Sequence, residues 1–456
     1  MESATTTFAG HKLDRSVIPL LLTLGLGVFL GALDLSVLAP ALPALGKDFN
    51  VATGDLAWVF TLYLLVNIVG IAVMSTLADR YGRRPIYLAC VLIFVAGSAI
   101  AVVSHDYGLF LVARAVQAFG AGGIFPVATA AIGDVVPPQR RGAALGLVAA
   151  TWGLAAVLGP VYGGMVTHFA SWRFIFAPNF PIAAFVLVYA ARYVPTNAPR
   201  VRGPLDVPGL LLLCIGLLFV MYGITGAHAV TIAFGLLLLA GFVMWQRAVA
   251  NPIVPPSLFT NAQLAKTFAL EIVIGVLEGS LFFIPAVLVS AQHISYAAAG
   301  LVAAVGAFMF VAVIPASGRM LDKIGSRDVL VAGTLCTEIG LVIFALCFNS
   351  LGLSVVSMIV AGIGFGALLG APTRYIVTNE TGEHTRATAI GLLSQFLIIG
   401  QILGGSLAGG IMGNALSDAA AFRTTYLAFA GVALVALVIT MTLRGRQQEI
   451  RGAATE

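Results

Sequence analysis

Long apolar runs alternate with short polar breaks along the whole chain. Fourteen runs approach or exceed the ~20 residues that a helix needs to cross a hydrocarbon core. They are 17–41, 55–78, 86–104, 107–132, 141–166, 173–193, 208–226, 229–247, 266–290, 297–318, 329–348, 352–375, 385–412 and 423–443. Backbone that cannot satisfy its own hydrogen bonds is too costly in lipid, so runs of this length predict helices. The fold class that follows is an all-α integral membrane protein.

One polar break stands out. Ser75-Thr-Leu-Ala-Asp79-Arg80-Tyr-Gly82-Arg83-Arg84-Pro85 places four charges in six residues between the second and third runs. Gly82 can take the backbone angles of a tight turn, and Pro85 suits the first turn of the next helix. Asp79 is placed to pair with an Arg or to cap a neighbouring helix. The same pattern returns as Gly318-Arg-Met-Leu-Asp322-Lys323-Ile-Gly325-Ser-Arg327, with Asp79 and Asp322 separated by 243 residues. Pro126 answers Pro372, Arg141 answers Arg386, Gly146 answers Gly391 and Gly159 answers Gly404, at offsets of 245 or 246. The chain therefore reads as a duplicated bundle. Residues 17–193 and 266–443 form two six-helix halves, and 194–265 holds linkers and two extra helices without a repeat partner. Segments 1–16 and 444–456 are cytoplasmic ends in this reading. Repeats of this kind place a substrate site between the halves, near the midplane.

The loop pattern resembles the signature between the second and third helices of the major facilitator superfamily. Three further stretches resemble its fourteen-helix drug:proton antiporter branch. They are Leu33-Asp34-Leu-Ser-Val-Leu-Ala-Pro40-Ala-Leu-Pro43 in the first run, Gly159-Pro160-Val-Tyr-Gly163-Gly164 in the fifth, and Trp172-Arg173-Phe-Ile-Phe-Ala-Pro-Asn179-Phe-Pro181 entering the sixth. The likeness runs from about residue 17 to 445. Ser75, Ala118 and Ala155 depart from it, each standing where a Gly or another small residue is usual. The resemblance implies a proton-coupled antiporter that exports lipophilic or cationic small molecules, as multidrug efflux proteins do. It also implies that the fifth-helix stretch restrains leakage between the two faces, and that Arg114 takes part in proton transfer with Gln117 one turn away.

Composition agrees with the class. Hydrophobic residues make up 60% of the 456 and charged residues only 9%, against roughly 25% charge in soluble proteins. The net charge of +5 does not mark a nucleic-acid binder, because the bases sit in short loops and form no continuous face. With the N-terminus inside, Lys47, Arg173 and Arg423 fall outside and Arg114 lies within a helix, which leaves 20 of the 24 bases on the cytoplasmic side. Cys90, Cys214, Cys336 and Cys347 fall inside apolar runs without metal-type spacing and read as packing residues, and the six His are scattered. Met1 to Arg15 shows no signal-peptide pattern. A multi-pass protein of the cell membrane, in a bacterium the inner membrane, is expected, working as a monomer with lipid and a small molecule as its partners.

Charges inside the runs carry the candidate chemistry. Asp34 lies in the outer part of the first run with no base near it in sequence. Set between Leu33 and Leu35, it is the first candidate for proton or cation handling. Glu271 and Glu278 share one face of the ninth run, and Glu278 is ~18 Å along from Lys266 at 1.5 Å per residue. Glu271 is close enough to the inner surface to snorkel. Glu338 is mid-run in the eleventh. Arg114 is the one base well inside a run and must have an acid or several carbonyls within reach. The coupling group is thus Asp34, Glu278, Glu338 and Arg114, driven by the proton motive force without a cofactor or metal; a lone carboxylate serves Na⁺ equally well.

For substrate the candidates are Tyr63, Asn67, Gln117, Trp152, Tyr162, Phe282 and Gln395, with Phe283 and Gln401 beside them. Aromatic walls with few fixed polar groups suit flat, lipophilic or cationic compounds. For gating they are the loop residues Asp79, Arg80, Gly82, Arg83, Arg84, Asp322 and Arg327, and the close-packing stretch Gly159, Pro160, Gly163 and Gly164. Two alternatives use the same machinery: export of an endogenous lipid or metabolite, and uptake by proton symport. An enzyme is not expected, since no Ser/His/Asp grouping, metal motif, phosphate loop or soluble domain is present.

Overall fold

The computed structural model describes residues 18–136, 138–196, 206–226, 228–250, 252–381, 383–412 and 419–446. Its helices are α1 (Ile18–Val37), α2 (Trp58–Tyr81), α3 (Arg83–Val103), α4 (Tyr107–Val135), α5 (Pro138–Phe169), α6 (Asn179–Tyr193), α7 (Val207–Thr225), α8 (Ala229–Ala248), α9 (Ala262–Gly279), α10 (Tyr296–Ile324), α11 (Ser326–Cys347), α12 (Leu351–Leu368), α13 (Glu383–Met412) and α14 (Ala419–Met441). Thirteen described spans are long and apolar enough to cross a membrane, and α5, at 32 residues, supplies a fourteenth crossing. The chain is an all-helical, multi-pass membrane protein.

The duplication is visible in the backbone. α1 runs through a tight turn at Ala39–Ala41 into a short helix Leu42–Phe49. α9 does the same through Ser280–Phe283 into Ile284–Gln292. Both breaks are followed by a proline in the first turn, Pro43 and Pro285, where a missing N–H costs nothing. The short helices end on Asn50 and His293, the two described non-glycine residues with positive φ, at 52° and 53°. These too are 243 residues apart. Gly82 and Gly325, again 243 apart, have φ of 98° and 88° with ψ near 160°, a region almost reserved for glycine. Each lets two long helices meet with no loop between them.

Within each half the helices pair in the same way. α1 packs on α5 and α6, α2 on α4, and α3 on α4 and α6; in the second half α9 packs on α13 and α14, α10 on α12, and α11 on α12 and α14. Two seams join the halves, α5 with α10 and α2 with α13, and each is the image of the other under the repeat. The inserted pair α7–α8 breaks that symmetry. Leu213, Leu217 and Met221 of α7 share one buried cluster with Tyr63, Leu64, Leu65 and Ile68 of α2 and Ile402 of α13, so α7 lies along the α2–α13 seam.

The twelfth run differs from its expected span. α12 stops at Leu368 and, after a turn, a separate helix Pro372–Asn379 begins. Pro372 lies where the first half has Pro126, which sits inside the unbroken α4. A proline removes one helical hydrogen bond; the first half absorbs the loss and the second opens a turn.

Candidate functional site

α1 meets α5 through Ser36, whose hydroxyl donates to the Ala155 carbonyl at 3.0 Å. A side chain at Gly159 would collide with Ser36, and one at Gly163 with the Val37 carbonyl. Asp34 is two residues from Ser36, about 200° around the helix, and so faces α3, α4 and α6. Arg114 Nη1 donates to Asp34 Oδ2 at 2.5 Å and to Gln117 Oε1 at 2.8 Å. Gln117 Nε2 donates to Asp34 Oδ1 at 3.0 Å and to Ser98 Oγ at 2.8 Å. Asn179 Nδ2 reaches Asp34 Oδ1 at 3.3 Å and Ser98 Oγ at 3.0 Å. The Tyr63 ring covers the guanidinium with its centre 4.2 Å from Cζ. Five helices thus converge on one carboxylate.

This cluster is dry: Asp34 is 1% exposed and Arg114 and Gln117 0%. An isolated charge there would be costly, and each of the two charges offsets the other's desolvation. The accounting is incomplete on one side. Arg114 Nε and Nη2 are buried without an acceptor. Asp34, Arg114, Gln117 and Tyr63, all singled out from the sequence, are brought together. Ser98 and Asn179 were not assigned roles beforehand; a hydroxyl in the middle of the third run, and an Asn within a recognisable stretch, were the available signals.

In the second half Gln401 Nε2 donates to Glu278 Oε2 at 2.9 Å, tying α13 to α9. Glu278 is half-buried. Glu271 does not snorkel: it is 5% exposed and its Oε2 has no partner. Thr373 and Arg374 of the short helix after α12 are its polar neighbours, and the break in α12 is what brings them there. Glu338 stands apart on α11, half-buried between the exposed Leu335 and Ile339. The structure does not bring it to Asp34 or Glu278. Nor are those two acids repeat partners. At the offset of 243, Asp34 corresponds to Leu277 and Glu278 to Leu35, so one acid turns into its own half while the other takes a position about 100° further round.

The halves touch at one end. Call the face carrying Gly82 and Gly325 the basic face. Towards the opposite face, Gly164 packs on Tyr296 and Gly300, and Gly300 on the Pro160 carbonyl. Thr61 packs on Gly405, and Phe60 stacks on Phe282 at 4.5 Å and 8°. The segments Leu42–Phe49 and Ile284–Gln292 also meet there. Trp152, midway along α5, is 45% exposed and lies edge-on to Phe125, itself 43% exposed. The outer face of α5 is marked by exposed Leu154, Leu158 and Met165, which at 100° per residue lie about 120–160° from Trp152. Trp152 therefore points away from that side, towards Phe125 of α4.

Comparison with known proteins fits this arrangement. The model of the Major Facilitator Superfamily matches residues 24–277 and 236–455. The chain belongs to the major facilitator superfamily. An uncharacterized MFS-type transporter of Bacillus subtilis, YfiU, is 32% identical over 413 residues, covering 85% of this chain and 78% of that protein. A multidrug resistance protein B homolog of Mycobacterium tuberculosis is 28% identical over 88% of this chain and 76% of its own length. The tetracenomycin C resistance and export protein of Streptomyces glaucescens is 27% identical over 88% and 77%. Among solved structures, a D-xylose-proton symporter superposes with a TM-score of 0.73 at 14% identity, over 95% of this chain and 99% of that one. An inward-facing bacterial homolog of the lysosomal transporter Spinster gives 0.68 at 17%, over 97% and 99%. These two show the fold alone.

The other expected residues of this superfamily transporter are more dispersed. Asn67 donates to the Ala118 carbonyl at 3.3 Å and ties α2 to α4. Tyr162 donates to the Phe174 carbonyl at 3.0 Å, towards the opposite face. Gln395 is half-buried on α13, and Phe283 is core. Of the loop residues, Arg83 pairs with Asp134 at 3.2 Å, and Arg84 Nε donates to the Val194 carbonyl beyond α6 at 2.5 Å. In the second half Arg327 pairs with Asp328 at 3.0 Å and lies against Gly445 beyond α14. Arg80 is exposed beside the Tyr81 ring. The side chains of Asp79 and Asp322 lie outside the described residues. Each of these pairs stays within one half, and none of the described ones bridges the two.

Proposed function

We propose that this transporter is a proton-coupled antiporter that exports lipophilic or cationic small molecules by alternating access. The observation that carries the reading is the buried Asp34–Arg114 pair with two guanidinium donors left over. A proton arriving on Asp34 removes the charge that holds Arg114 in place. The guanidinium then turns to other acceptors, and the contacts among α1, α3, α4 and α6 change with it. Glu278, half-buried and held by Gln401, is the second group whose charge differs between states. Small differences of a few kcal/mol between the two arrangements suffice for switching.

The relatives named for multidrug resistance and for resistance and export favour outward transport. With the basic face taken as cytoplasmic, as the excess of Lys and Arg in its loops favours, the contacts at the opposite face make this the inward-facing state. The charged loops around Gly82 and Gly325 then serve as the latch of the outward-facing state. The deciding experiment uses inside-out vesicles with an acidified lumen and a panel of lipophilic cations. Antiport is read as substrate-dependent collapse of the pH gradient, absent from Asp34→Asn. Unchanged exchange in that variant rules Asp34 out as the coupling group.

A further inference from the structure

The duplication builds one interior contact twice, with opposite chemistry. Glu271 of α9 stands where α1 has Val28, at the offset of 243. Thr373 and Arg374 stand where α4 has Val127 and Ala128, at the offset of 246. In the first half those three residues are buried in one apolar cluster. Hydrocarbon alone thus satisfies the contact between the first and fourth helices of a half. In the second half α9 meets the short helix Pro372–Asn379 at the same place, through a carboxyl group, a hydroxyl and a guanidinium.

Packing does not call for those polar groups, and burying them is costly. Glu271 is 5% exposed, Thr373 is buried beside it, and Oε2 of the carboxyl has no partner. Arg374 is exposed and does not reach that oxygen. The remaining described charges nearby are engaged elsewhere. Glu278, seven residues and ~10 Å further along the same face of α9, takes Gln401. Lys266 Nζ donates to the Thr442 carbonyl at 2.9 Å, and Arg444 pairs with Glu380 at 2.6 Å. The charged side chains at the start of α13 lie outside the described residues. Arg446 lies against Gly325, so this end of α9 is at the basic face, and Glu271 stands between it and Glu278.

We propose that Glu271 is a second proton-binding site of the transporter, on the basic-face side of Glu278, with Arg374 as the partner its carboxylate takes once the proton has left. A neutral acid tolerates an unpaired buried oxygen far better than a carboxylate does, so the arrangement seen here is the loaded one. In the release step only a proton moves. The carboxyl O–H bond breaks, the proton passes to water at the basic face, and the new negative charge is met by the guanidinium one residue from Thr373. The proposal rests on the proton-antiport reading and adds a residue to its proton path. Proton binding itself is measured without transport.

The first test uses infrared difference spectra of the full chain in nanodiscs, between acid and alkaline buffer, which report protonated carboxyl groups through their C=O stretch. A titrating component should disappear in Glu271→Gln and persist in Asp34→Asn and in Glu278→Gln. If Glu271→Gln removes no component, Glu271 exchanges no proton and the proposal falls. The second test copies the first half's contact with Glu271→Val/Thr373→Val/Arg374→Ala. Exchanging buried polar groups for apolar ones of similar size is often neutral or stabilising, so this variant should unfold no earlier than the unmodified chain. In proteoliposomes it should move fewer protons per tetraphenylphosphonium ion, or none. An unchanged proton count would make the trio a packing contact and overturn the proposal. Absence of exchange in the unmodified chain would count against the antiport reading, and the infrared result would still decide for or against Glu271.

Discussion

Asp34 holds Arg114 through a single nitrogen, at 2.5 Å, while two other donors of the same guanidinium have no acceptor. A static tie between helices would be expected to use the fork of the guanidinium in full, since bidentate pairing is the stronger arrangement. An arginine with donors to spare can change partner without first breaking every bond it has. This feature, more than burial itself, sets the pair apart from a purely structural bridge.

Removing one charge from this pair should therefore cost stability as well as coupling. Asp34→Asn leaves a buried guanidinium uncompensated, a change worth about 3–5 kcal/mol in buried pairs. The double variant Asp34→Asn/Arg114→Gln removes both charges and should recover most of the lost thermal stability in detergent. It should not recover proton-driven exchange. Recovery of both would make the pair structural.

Gly300 tests the closure at the opposite face. A valine there meets the Pro160 carbonyl, and such overpacking costs about 1–3 kcal/mol. The cost falls only on the state in which α5 and α10 touch, so Gly300→Val should shift the balance roughly 5- to 150-fold towards the state open at that face. Spin labels at Phe169 and Leu351, exposed near the opposite-face ends of α5 and α12, should report a longer distance. An unchanged distribution would mean that the seam does not separate.

Much of this was legible in the sequence, and the reasons differ by residue. The span count followed from run length, and the duplication from Asp79 and Asp322; the structure adds Asn50/His293 and Gly82/Gly325 at the same spacing. Arg114 and Gln117 are three residues apart on one helix, so their shared face was readable. That they meet Asp34 depends on how α1 rolls against α5, which Ser36 and Gly159 decide across a separation of more than a hundred residues. Glu271 was misjudged because its distance from the helix end says nothing about the cover supplied by Pro372–Asn379. Glu338 is mid-run like Glu278 and ranked after it, yet depth along a helix does not tell which side faces the neighbouring helices.

Asp206 should prove essential to the α7–α8 hairpin and dispensable for the Asp34 network. It gathers three donors, one from the cap of α7 and two from α8, and hydrogen bonds to a charged group contribute about 1.5–3 kcal/mol each. Asp206→Ala should loosen α8 from α7 and shift Trp245 emission to the red. The Asp34 network, which shares no residue with it, should keep its coupling. Loss of both together would mean that the insert supports the halves themselves.

Glu278 and Asp34 belong to different halves and share no described hydrogen-bond partner: Gln401 serves one, and Arg114, Gln117 and Asn179 serve the other. Their stability effects should accordingly add, within the roughly 0.3–0.5 kcal/mol typical of independent sites. Glu278→Gln keeps an oxygen for Gln401 to donate to, so its own thermal shift should be far smaller than that of Asp34→Asn. Function should behave differently. If both acids gate the same rocking motion, either neutral variant alone should abolish exchange, and the double should be no worse than the single. Two independent partial losses that multiply would show instead that neither acid alone is indispensable to coupling.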